Sequence, residues 1–118
     1  MGLDQYAHKV NEHGASTEIA CWQKHNRLHA WMERTHRERS GMDYQNLTDM
    51  EVTEEDIDSL EIAVQSARLP KTVGFFFGVD SYEHPDKSAL LRKQDLEFIN
   101  AARVALQAGY KVVYHAWW

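Results

Sequence analysis

Leu3 to Val10 alternates loosely between apolar and polar positions and is short, which reads as a first strand. Asn11-Glu12-His13-Gly14 follows as a turn. Beyond it, Cys21, Leu28 and Met32 fall within about 40° of one another at helical spacing. That spacing predicts one long helix from Ser16 or Thr17 to Arg39, with Glu18 in its first turn and Ser40-Gly41 as its stop. Tyr44 to Val52 reads as a second strand. Thr53-Glu54-Glu55-Asp56 resembles a capping box with Asp in place of the usual Glu. Ile57, Leu60, Val64 and Ala67 carry a second helix, which must stop by Leu69 because Pro70 disfavours helix before it. Val73 to Phe77 has the composition of a buried strand, punctuated by Gly74 and Gly78. A polar loop from Gly78 to Lys87 leads to a third helix over Ala89 to Gln107, with Leu91, Gln94, Phe98, Ala102 and Leu106 along one side. Gly109 suits the left-handed stop. Lys111 to Trp118 closes the chain as a strand, with Val112, Tyr114, Ala116 and Trp118 on one side and Val113, His115 and Trp117 on the other.

The order β-α-β-α-β-α-β implies a small α+β fold: a mostly antiparallel sheet of about four strands with about three helices packed on it. The 118 residues fit a single domain over 1–118 and suffice for a core without disulfides or metals. The single cysteine, Cys21, has no intrachain partner, which suits a reducing cytoplasm. No apolar run is long enough to span a bilayer and no N-terminal signal pattern is present, so the expectation is a protein without membrane partners that stays where it is made.

Charge sharpens the picture. The net charge is −5, yet it is unevenly placed. Ser40 to Val64 holds Asp43, Asp49, Glu51, Glu54, Glu55, Asp56, Asp58 and Glu61 with no Lys or Arg. Glu18 to Arg39 holds Lys24, Arg27, Arg34, Arg37 and Arg39, joined by His25, His29 and His36. The plain reading is one acidic and one basic solvated face; the sharper one is a local positive surface that attracts an anion. An acidic domain offers too little basic surface for duplex nucleic acid.

The predicted first helix carries the candidate site. Trp22, His29 and His36 form a stripe beside the core stripe, with Asn26 between the first two; Trp31 and Lys24 flank the core on the other side. Either the two tryptophans simply widen the buried face, or Trp22, Asn26 and His29 help to wall a pocket. Indole faces can stack on a planar base, Asn26 and His29 can exchange hydrogen bonds, and Lys24 can meet phosphate. Tyr6 and the loop at Gly78 are expected to complete the pocket. His25 and His29 sit at i and i+4, but two imidazoles do not make a zinc site and no H-E-x-x-H is present, so no metal or cofactor is expected. Gly74-Phe75-Phe76-Phe77-Gly78 lacks phosphate-loop spacing, and no G-x-S-x-G elbow occurs. Cys21 would lie on the core side of a helix, a poor place for a nucleophile. No catalytic residues are assigned, and an enzyme is the weaker expectation.

The chain opens Met1-Gly2-Leu3-Asp4-Gln5-Tyr6, continues with Trp22-Gln23-Lys24, Asn26, Leu28-His29 and Trp31, carries Leu69-Pro70 and Gly74-Phe75-Phe76-Phe77-Gly78, and ends Tyr114-His115-Ala116-Trp117-Trp118. It resembles a family of small phage-encoded proteins with M-[GC]-L-D-x-Y, W-R-K-x-N-x-[IL]-H-x-W and G-F-F-F-G motifs. Gln23 departs from that pattern, standing where the family has a basic residue. The resemblance implies a phage accessory protein acting in the cytoplasm of the infected bacterial host. The leading expectation is a protein that binds and sequesters a small anionic, nucleotide-like signalling molecule of host defence. The alternatives are a protein–protein inhibitor of a host factor, using the acidic surface around Glu51 to Glu61, and a small metal-dependent or acid–base enzyme. A homodimer with Trp117 or Trp118 near its contact is also expected, because aromatic residues are enriched at interfaces.

Overall fold

The computed structural model describes residues 3–44, 48–69 and 85–117. Within them the order is β1 (Asp4–Val10), β2 (Ser16–Gln23), α1 (Asn26–Ser40), β3 (Asp49–Val52), α2 (Glu54–Gln65), α3 (Pro85–Gln107) and β4 (Lys111–Trp117). The four strands form one antiparallel sheet in the order β2-β1-β4-β3. This is the expected α+β class, with three helices and four strands among the described residues.

One element is a correction. The stretch expected to open a long helix at Thr17 is a strand as far as Gln23, and the helix starts only at Asn26. The turn decides this. The Asn11 side-chain oxygen accepts the backbone N–H groups of His13 and Ala15, both at 2.9 Å, and Gly14 takes a left-handed φ of 83°. That turn lays Ser16–Gln23 antiparallel on β1, where β-branched Thr17 and Ile19 and aromatic Trp22 fit a pleated surface. The hairpin contains one bulge: Ala7 pairs with Ala20 and His8 with Glu18, so Ile19 is the extra residue. Lys24, at φ 55°, turns the chain out of the strand, and its N–H donates to the Leu3 carbonyl at 2.7 Å. Cys21 therefore lies exposed on a strand, not on the core side of a helix.

The other elements follow local chemistry. Gly41 closes α1 in the left-handed conformation, its N–H bonded to Arg37 O. The Thr53 box is complete: Thr53 Oγ1 accepts from Asp56 N at 3.2 Å and Asp56 Oδ2 accepts from Thr53 N at 2.9 Å. The second strand is shorter than expected, Asp49–Val52 within 44–52, and α3 begins four residues early at Pro85 rather than Ala89. The strand expected at Val73 to Phe77, and Gly78, lie outside the described residues.

The inner face of the sheet carries Gln5, Ala7, Trp22, Met50, Val52, Val112, Tyr114 and Ala116, all buried. Leu28 and Met32 of α1, Ile57 and Leu60 of α2, and Phe98, Ile99 and Ala102 of α3 close the core over it. On the outer face Tyr6, His8, Val113 and His115 are half-buried and Trp117 is 48% exposed.

Candidate functional site

A chain of polar side chains crosses this core. Gln5 reaches from β1 to the start of α1 and clamps the His25 backbone on both sides. Its Oε1 accepts from His25 N at 2.9 Å and its Nε2 donates to His25 O at 3.1 Å. The same Nε2 donates to the Tyr114 hydroxyl at 3.0 Å. The amide side chain thus imitates a strand partner for the turn that joins β2 to α1.

From Tyr114 the chain continues to His29 Nδ1, 2.9 Å away. Because the Tyr114 oxygen already accepts from Gln5, its own proton is free to go to His29 Nδ1. This leaves His29 neutral with its proton on Nε2, the atom 3.9 Å from Glu33 Oε2. Burial pushes the His29 pKa down to about 4, in keeping with a neutral ring. Burial also raises the Tyr114 and Tyr44 hydroxyls above their ordinary range; the Ala116 N–H bond opposes the rise at Tyr44 and the Asp49 charge adds to it. Tyr44 receives the edge of His29, with ring centroids 5.2 Å apart, and its hydroxyl bonds Thr48 O.

His25 makes the second branch. Its Nε2 lies 2.9 and 2.8 Å from the two Asp95 carboxylate oxygens on α3, and both side chains are fully buried. A carboxylate accepts, so Nε2 carries the proton. His25 and His29, neighbours at i and i+4, thus serve different partners, Asp95 and Tyr114. Among the described residues no group of three or more His, Cys, Asp or Glu is placed to hold a metal ion.

The residues expected to wall a pocket divide sharply. Trp22 (3% exposed), Asn26 (1%), His29 (0%) and Trp31 (5%) are interior. Trp22 meets Phe98 edge-on with centroids 5.1 Å apart, and its indole N–H finds no acceptor among the described residues. Lys24 is exposed, and Tyr6 sits on the outer face of the sheet, opposite the polar chain. Gly78 lies outside the described residues. The helical-wheel picture of one wrapped site does not apply, since Trp22 and Lys24 belong to a strand and its exit turn.

Gln5, Asp95 and Tyr114 were absent from the expected set. Each carries a sequence signal. Gln5 falls between Leu3 and Ala7 on one strand face, and Asp95 falls between Leu91 and Phe98 on the apolar stripe of α3. A polar side chain in an apolar stripe asks for a partner.

Outside the core, two open hollows lie between the helix α3 and the strand β2. At one end Trp22 and Lys24 line a hollow of about 530 Å³ with Leu90, Leu91 and Gln94. At the other, Lys9 and Ile19 face Ala101, Val104 and Tyr110 across a hollow of about 730 Å³. The acidic segment, by contrast, is largely held by the chain's own arginine and histidine side chains. Arg103 bonds Asp58 at 2.8 Å and Glu61 at 3.1 Å, Arg39 bonds Asp56, and His115 bonds Asp49 at 2.8 Å. Glu61 and then Asp58 hold the Arg103 pKa above its ordinary value.

No protein-family model, curated protein or solved structure matches the chain. No helix among the described residues is long and apolar enough to cross a membrane.

Proposed function

We propose that the chain is a phage accessory protein that acts in the infected bacterial cytoplasm by docking on a host protein, with the groove between β2 and α3 as its contact surface. The observation that carries this reading is the division of the expected site. Its aromatic and amide members, Trp22, Asn26, His29 and Trp31, are interior, while the concave surface open to a partner runs along β2 and α3. The acidic surface is the poorer docking face, because Asp49, Asp56, Asp58 and Glu61 are engaged by His115, Arg39 and Arg103. The setting rests on the resemblance to small phage proteins.

Sequestration of a nucleotide-like anion is the second reading. It is favoured by the hollow at Cys21–Lys24, which the exposed Lys24 lines together with Leu90, Leu91 and Gln94. One experiment separates the two. The tagged full chain and its variant Lys93→Glu, which reverses the charge of an exposed α3 residue in a hollow adjoining the Ile19 end, are recovered from infected cells, and both the retained proteins and the released small molecules are identified by mass spectrometry. Docking predicts a host protein held by the parent and lost by the variant. A nucleotide released from the parent, with no host protein dependent on Lys93, would replace docking by sequestration.

The expected homodimer belongs to the same proposal. Trp117, 48% exposed on the outer sheet face, is its anchor. Light scattering at high micromolar concentration should give twice the chain mass, and Trp117→Ser should restore the single chain. A parent that scatters as one chain removes the dimer.

A further inference from the structure

We propose that the outer face of the sheet is a second contact surface, separate from the hollows beside α3, and that it takes an arginine-bearing basic segment of a protein partner.

The strand register sets this face out in rows. Cys21, Tyr6, His115 and Asp49 stand opposite one another across β2, β1, β4 and β3. The row on one side is Glu18, His8, Val113 and Glu51; on the other side Asp4 stands opposite Trp117. Alternation turns these side chains away from the helices, because their chain neighbours Gln5, Ala7, Met50 and Tyr114 point into the core. The face reaches solvent. Trp117 is 48% exposed, the Asp49 side chain is 74% exposed, and Glu18, Cys21 and Glu51 are exposed as well.

Three properties of the face select its occupant. First, its carboxylates keep their charge. Arg39 and Arg103 neutralise Asp56, Asp58 and Glu61 around α2. Among the described residues no lysine or arginine forms an ion pair with Asp4, Glu18, Asp49 or Glu51. Arg39 meets Glu51 only at its backbone oxygen. Lys111, opposite Val10, is the one lysine or arginine that the register places on this face. Neighbouring strands lie about 4.8 Å apart and alternate residues about 7 Å apart. A cation seated between Tyr6 and His115 therefore has all four carboxylates within about 10 Å, roughly one Debye length.

Second, the centre accepts hydrogen bonds. Asp49 Oδ1 lies 2.8 Å from His115 Nδ1. A carboxylate accepts, so Nδ1 carries the proton of the neutral ring, and its other nitrogen, Nε2, is an acceptor. Third, aromatic side chains border that centre: Tyr6 directly opposite His115, and Trp117 two residues along the same strand face. A guanidinium stacks on such rings while its in-plane N–H groups reach carboxylates and imidazole, which an ammonium does less well. An acidic partner, or a second copy presenting the same face, meets like charge here.

The test uses the full chain and three fluorescein-labelled ten-residue peptides, which alternate serine with arginine, lysine or glutamate. Anisotropy should show binding of the arginine peptide, weaker binding of the lysine peptide, and at least about tenfold weaker binding of the glutamate peptide. In nitrogen–proton correlation spectra the arginine peptide should shift the amides of Tyr6, His8, Val113 and His115. Glu18→Lys and Glu51→Lys, both at exposed positions, should each weaken it about tenfold with an unchanged far-ultraviolet spectrum. Glu97→Lys changes the net charge equally but lies exposed on α3, across the sheet, and should weaken it less than about twofold. The same loss in all three variants reduces the effect to net charge and overturns the face as a site. No binding of the arginine peptide, equal binding of either other peptide, or amide shifts confined to the helices overturns it as well. So does a dimer that excludes the arginine peptide and that Glu51→Lys dissociates, since the occupant is then a second copy.

Discussion

Two regions of this molecule use similar residues to opposite ends. In the interior, Gln5, His25, His29, Asp95 and Tyr114 are fully buried and joined by directed hydrogen bonds. Along β2 and α3, Lys9, Glu97 and Asn100 border an open hollow with an apolar floor. Chemistry-bearing side chains are therefore no guide to function until their burial is known. The interior set fixes how a helix start meets a sheet and a second helix; the groove set remains open to an outside partner. A buried polar network is costly when incomplete and rigid when complete. The interior should thus govern stability, and the groove should hardly touch it.

The sharpest way to break the comparison is Asp95→Ala. It leaves His25 Nε2 without its carboxylate in a fully buried place. Loss of one partner of such a pair costs about 3–5 kcal/mol, a large share of the 5–15 kcal/mol that holds a typical domain. Urea unfolding followed by circular dichroism should show a collapse of the midpoint. A change under about 1 kcal/mol would mean that the interior pair is not structural.

Acid is the next lever. The His29 pKa is about 4 when folded, against 6.5 for the free side chain. Between these values the unfolded chain binds a proton that the folded one refuses, so stability is complete above pH 6.5 and falls as pH drops toward 4. The loss attributable to His29 is roughly 3 kcal/mol over that window. His29→Gln removes the titrating group, and its stability should fall less over the same range than that of the parent. Parallel curves for the two would detach His29 from the acid response.

Much of this was readable in the sequence, and the exceptions have one cause. The capping box at Thr53, the Gly41 stop and the alternation of β4 depend on neighbours a few residues away, and they stand as expected. The hairpin depends on pairing with β1. Cys21, Leu28 and Met32 satisfied a helical period by coincidence across a break at Lys24, which has no Gly or Pro to mark it. The residues of the expected site are divided between interior and surface for the same reason. The aromatic and amide residues of Trp22–Trp31 were legible as special, but their partners Gln5, Asp95 and Tyr114 are 20, 70 and 85 or more positions away. A list of residue types cannot distinguish a wall facing ligand from a wall facing Tyr114.

Tyr114→Phe is a smaller and cleaner cut into the interior. It removes one oxygen that accepts from Gln5 and donates to His29 while keeping the ring that fills the core. Two buried groups lose a partner, so the expected cost is about 1–3 kcal/mol. Calorimetric unfolding of Tyr114→Phe, Gln5→Leu and the double variant would show whether the two act together. A shared network predicts that the double loss is less than the sum, and additive losses would reduce the chain of bonds to separate contacts.

The smallest expected effect is the one that sharpens the comparison most. Val104→Asp and Lys93→Glu alter the groove at positions that face solvent, Val104 being 67% exposed. Surface changes of this kind usually stay within about 0.5 kcal/mol. Their urea midpoints should therefore overlay that of the parent even as binding in the groove is lost. This separation is what makes them informative, because a binding defect in a fully stable protein cannot be blamed on unfolding. Suppose instead that Val104→Asp lowers the midpoint as Tyr114→Phe does. Then Val104 carries packing in solution, the floor of the groove is covered, and the line drawn between a closed interior and an open surface has been drawn on the wrong side of α3.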